Sequence, residues 1–147
     1  MKATHIQTNF IKWLSPDEMH SASQEWLSVL HFMNNEQSFI DKLIKSYTLQ
    51  LMDSKHADAS KIIISELYKM RKETKTLINR VKAHDNALKI MVDGIDQLKQ
   101  EETYKKEHHI LTETLSEFLE TYKKFKLKFY KVIKQIIKEQ KLKYLVE

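Results

Sequence analysis

The seven histidines are the side chains in this sequence best suited to proton or metal chemistry near neutral pH, and their spacing limits what they can do. His108, His109 and Glu113 form the densest group. His109 and Glu113 lie one helical turn apart and could share a metal ion. Carboxylate-bridged sites inside helical bundles instead use Glu-x-x-His pairs on facing helices, and no Glu-x-x-His occurs here. Lys105 and Lys106 beside the group would repel a cation. His31 and His84 stand alone, and His84 falls on an apolar stripe, the usual setting of a partly buried, hydrogen-bonded imidazole. The sequence therefore predicts neither a metal nor a cofactor.

Nucleophilic chemistry has less support. The chain has no cysteine, one glycine (Gly94) and one proline (Pro16), so thiol catalysis and Gly-rich phosphate loops are excluded. No Gly-x-Ser-x-Gly elbow presents a serine. Carboxylates are scattered over helix faces, where solvated pairs one turn apart are the expected arrangement. The reading is of a protein that is not an enzyme.

The elements holding these residues are helices. Ile63, Leu67, Met70, Thr74, Leu77, Val81, His84, Leu88, Met91, Ile95 and Leu98 recur in unbroken four- and three-residue steps. A repeat averaging 3.5 residues over about five heptads means a long helix packed lengthwise against partners. Trp26, Leu30, Met33, Gln37, Ile40, Ile44, Tyr47 and Leu51 keep a second stripe. Tyr104, His108, Leu111, Leu115, Phe118, Tyr122, Phe125, Phe129, Val132 and Ile136 keep a third. Polar residues on these stripes (Gln37, Thr74, His84) fix register at some cost in stability.

Leu14-Ser15-Pro16-Asp17-Glu18-Met19 combines a capping box, an N1 proline, two acidic residues for the helix dipole and a hydrophobic staple. Helices are predicted over about 16–52, 58–100 and 103–145, with Asp58 capping the second. A turn at Lys99–Thr103 gives the last two matching lengths, and a break at Gly94 is the alternative. Short connections between long helices force antiparallel neighbours. The expectation is one all-α domain over 1–147, an elongated antiparallel three-helix bundle, up-down-up, with a short N-terminal arm at 1–14.

Composition agrees. Hydrophobic content of 41% with 31% charged residues fits a soluble, folded helical protein. No apolar run reaches the 18 or so residues of a membrane span. Met1-Lys2-Ala3-Thr4-His5 lacks the apolar region of a signal peptide, so a cytoplasmic location is expected.

Charge supplies the partner clue. Residues 121–147 carry nine lysines against Glu139 and Glu147, which leaves the other 120 residues at −2 of the overall +5. Lys124, Lys128, Lys131 and Lys138 are the candidate anion-binding residues. On the same helix Leu127, Tyr130, Lys134, Ile137, Lys141 and Tyr144 form a stripe outside the core, and Phe32 and Phe39 flank the stripe of the first helix. Apolar residues outside a core usually find a protein. The sequence thus predicts an interaction protein that forms a homo-oligomer or docks a helical protein partner. Nucleic acid or an anionic membrane is the alternative, weakened by the scarcity of arginine (Arg71 and Arg80).

Overall fold

The computed structural model describes residues 14–93 and 98–146. They form an all-α fold, 94% helical and without a strand among the described residues. Helix α1 is Pro16–Ser46, α2 Thr48–Leu51, α3 Ala57–Asp93 and α4 Leu98–Val146.

The start of α1 is fixed by the residues that announced it. The Ser15 hydroxyl accepts the Glu18 backbone N–H and faces Glu18 Oε1, both at 3.2 Å. Leu14 packs against a cluster that includes Met19, closing the staple. The single first helix expected to Met52 is divided at Tyr47, whose φ of −112° and ψ of 24° leave the helical basin. Its N–H is shared between the Leu43 and Ile44 carbonyls. The Ser46 hydroxyl reaches the Lys42 carbonyl at 2.9 Å, and that of Thr48 reaches Ile44 and Lys45 at 3.1 and 2.9 Å. Hydroxyls that compete for carbonyls loosen the helical ladder, which accounts for the break.

Two other boundaries differ from expectation. Helix α3 begins at Ala57, one residue early, so Asp58 lies inside the first turn and not at the cap. There it still favours the positive end of the helix dipole. The turn expected at Lys99–Thr103 is helix: α3 ends at Asp93 and α4 is already helical at Leu98. Glycine is among the poorest helix formers, whereas Lys99, Gln100, Glu101 and Glu102 are good ones. Propensity outweighed the matching of lengths. The expected N-terminal arm, apart from Leu14, lies outside the described residues, as does the Ile95 position.

The chain divides into two compact units, residues 1–33 with 74–119 and residues 34–73 with 120–147. The first has an apolar core of Leu30, Leu77, Val81, Leu88, Leu111 and Leu115, interrupted by buried Ser23, Thr74, His84, Asp85, His108 and Thr112. The second is built on aromatic rings: Tyr122, Phe125 and Phe129 stack in series with centroids 6.3 and 6.2 Å apart. Ile40, Ile44, Leu67, Met70, Ile133 and Ile136 pack the rest of its interior. Each fully buried apolar side chain contributes about 1.5–3 kcal/mol.

The stripes place most of this core. Every described position of the stripe from Ile63 to Met91 is buried. On α4, Ile133 replaces Val132, which is half-buried. A helix turning every 3.6 residues drifts against a strict 3.5-residue repeat, and one four-residue step restores the phase.

Candidate functional site

In the first unit, α3 and α4 bring His84 and His108 together across the core. His84 Nε2 lies 2.9 Å from His108 Nδ1, with both residues at most 5% exposed. Tyr104 lies flat on His84 at 3.9 Å and 6°, and Trp26 of α1 stacks on His108 at 4.7 Å. Burial holds the His84 imidazole down at about 4, with Asp85 pulling it up and Arg80 pushing it further down. His108 is likewise held at about 4, by burial and then by His84. Burial, with Asp85, drives the Tyr104 phenol well above its ordinary range against the opposing contact with Ser23. At neutral pH the stack carries no charge, and imidazoles this acidic are weak proton acceptors.

Asp85, adjacent to His84, is 4% exposed and fully engaged. Its Oδ1 lies 2.7 Å from His20 Nδ1, and its Oδ2 accepts from Gln24 Nε2 at 3.0 Å. A buried carboxylate is tolerated only with such partners. His84 and Tyr104 also line a cavity of about 910 Å³ with Ala83, Ala87, Ile90 and Met91, at whose rim Arg80 pairs with Glu107 at 3.2 Å.

The histidine group singled out by spacing is not brought together. His108 turns to His84, while His109 pairs with Glu113 on its own helix at 3.4 Å. Among the described residues no three metal-ligating side chains converge. The Asp85 group was missed, although His20 and Gln24 stand one turn apart, six and two residues before the Trp26 stripe begins, a signal that polar groups line that face.

In the second unit α3 and α4 flank a groove of about 520 Å³. Ala59, Ile62, Ile63 and Val132 line it with Lys128, Lys131, His56 and Gln135. Ion pairs from α4 to α3 and to the two residues just before it bracket the groove. Lys128 Nζ meets Glu66 at 3.2 Å, and Glu139 meets Lys55 at 2.6 Å and His56 at 3.1 Å. The Lys55, His56 and Gln135 contacts hold the Glu139 carboxyl down at about 2. Lys124, Lys128, Lys131 and Lys138 are all exposed on one side of α4. Within ion-pair distance, Lys128 alone of these four has a carboxylate among the described residues.

Of the outer stripe, Leu127, Tyr130, Lys134, Lys141 and Tyr144 are exposed and Ile137 is half-buried. Tyr130 rests edge-on against Phe129 at 5.2 Å. Phe32 and Phe39, both more than half exposed, stand on α1 in the first and second units respectively. Residues 140–146 are helical yet exposed on every side, with Leu142, Leu145 and Val146 among them. No helix among the described residues is long and apolar enough to cross a membrane. No protein-family model, curated protein or solved structure matches the chain.

Proposed function

We propose that this chain is a non-enzymatic helical interaction protein that docks a protein partner, a second copy included, through the outer faces of α4. One observation carries the reading: α4 continues to Val146 with seven consecutive exposed residues, among them Leu142, Tyr144, Leu145 and Val146. Clustered exposed apolar side chains mark contact sites. The buried polar groups support the same view. His84 bonds His108 and Asp85 bonds His20 and Gln24, so these side chains are occupied in holding helices in register. In this account the long helices run as an antiparallel coiled-coil-like three-helix bundle, up-down-up, working in the cytoplasm.

Affinity capture from cell extract, with a differently tagged second copy present, tests it. Wild type should retain a defined partner that Leu142→Glu/Leu145→Glu loses at unchanged helicity. Identical recovery by both proteins would remove α4 from the account.

A second reading rests on Lys124, Lys131 and Lys138, exposed and without a carboxylate in reach among the described residues. Such a row binds nucleic acid or anionic lipid electrostatically, with affinity falling steeply as salt rises.

A further inference from the structure

The groove of the second unit joins an apolar interior to a row of cations, and the two features point to one kind of occupant. Ala59, Ile62, Ile63 and Val132 supply the apolar surface. Ile62 is 56% exposed, so much of that surface lies open to solvent. The groove lining runs from His56 to Ile63 on one wall and from Lys128 to Gln135 on the other, each about 10 Å or two turns of a helix. Lys124, Lys128, Lys131 and Lys138 fall at i, i+4, i+7 and i+14, so they line one side of α4 over about 21 Å. Lys128 and Lys131 stand directly in the groove wall.

We infer that this groove receives an acidic amphipathic helix of a partner protein. The inference rests on the interaction reading above and names the partner's chemistry. Apolar side chains repeating at i, i+3, i+4 and i+7 enter between Ile62 and Val132, while flanking Asp and Glu meet Lys124, Lys131 and Lys138. Charge complementarity selects the partner and speeds encounter. A single lipid headgroup engages one or two cations, whereas this row repeats at the pitch of a helix face. The groove lining has no arginine and no aromatic ring other than His56, which leaves little for reading or stacking bases. The terminal segment of a second copy, with Lys141 and Lys143 against Glu147, carries the wrong sign.

The probe is a fluorescein-labelled 18-residue peptide with Leu at i, i+3, i+4 and i+7 and Glu on the flanking positions. Its controls are a scrambled peptide, a Lys-for-Glu peptide, phosphatidylglycerol vesicles and a 20-nucleotide single-stranded RNA. Anisotropy at 50 mM salt should give a Kd below about 100 µM for the acidic helix alone. Lys124→Gln/Lys131→Gln/Lys138→Gln should weaken it at least tenfold, and Ile62→Glu, an exposed change checked by circular dichroism, should do the same. No binding of the acidic helix, equal binding of its scramble, or tighter binding of vesicles or RNA would overturn the inference. Capture of a partner that depends on Leu142 and Leu145 but ignores Ile62→Glu would overturn it while leaving the interaction reading intact.

Discussion

His84 Nε2 and His108 Nδ1 share one hydrogen bond of 2.9 Å inside the first unit, so one ring donates and the other must remain an unprotonated acceptor. Protonating both rings removes the acceptor and sets two charges against each other between Trp26 and Tyr104.

Stability should therefore fall with acid. Each ring titrates near 4 in the fold against 6.5 in the free side chain, so the unfolded chain binds protons more readily between those values. The stabilisation is complete above about pH 6.5 and is lost as pH falls towards 4, on the order of 3 kcal/mol at most from each ring. Urea unfolding at pH 7.5, 5.5 and 4.5 measures it. In His84→Leu/His108→Leu, which removes donor and acceptor together, the slope should flatten at little cost at pH 7.5. Equal acid sensitivity in that variant would place the titrating groups elsewhere.

Asp85→Ala should cost about 2–4 kcal/mol at neutral pH, because Gln24 and His20 lose a buried acceptor. A thermal melt matching wild type would show that the carboxylate is solvated.

Leu88 is 3% exposed beside Met19, Met91 and Tyr104. Leu88→Asp buries an unpaired charge and should prevent cooperative unfolding at ordinary temperatures, as followed by circular dichroism. Unchanged melting would mean that the register of α3 is wrong.

Phe129 is fully buried and stacked on Phe125, so Phe129→Ala should cost about 3–5 kcal/mol. Tyr144→Ala, on a side chain 88% exposed, should change unfolding within about 0.5 kcal/mol. Similar losses from both would contradict the packing of α4.

The sequence could reveal what depends on one helix at a time. Heptad phase located the core from Ile63 to Met91 because every inward position repeats the same geometry, and Ser15 to Met19 announced the start of α1 through local capping chemistry. What depends on a second helix stayed hidden. His84 and His108 stood on separate stripes, and only the register of α3 against α4 makes them a pair. Asp85 lies one residue off its stripe, where nothing local says whether it faces water or His20. The Tyr47 break is a contest between hydroxyls and backbone that apolar spacing does not register. The core stripe of α4 ended at Ile136 and the outer stripe ran on to Tyr144, with nothing in the spacing to say whether another helix covers residues 140–146.

Quantitative affinity capture by wild type and Leu142→Glu/Leu145→Glu, with a differently tagged second copy in the extract, decides whether α4 is the docking element. Wild type should hold a partner in stoichiometric amount and the variant at least tenfold less, with both proteins equally helical. Equal recovery by both, or nothing retained by either, would contradict the assignment of α4 as the docking element.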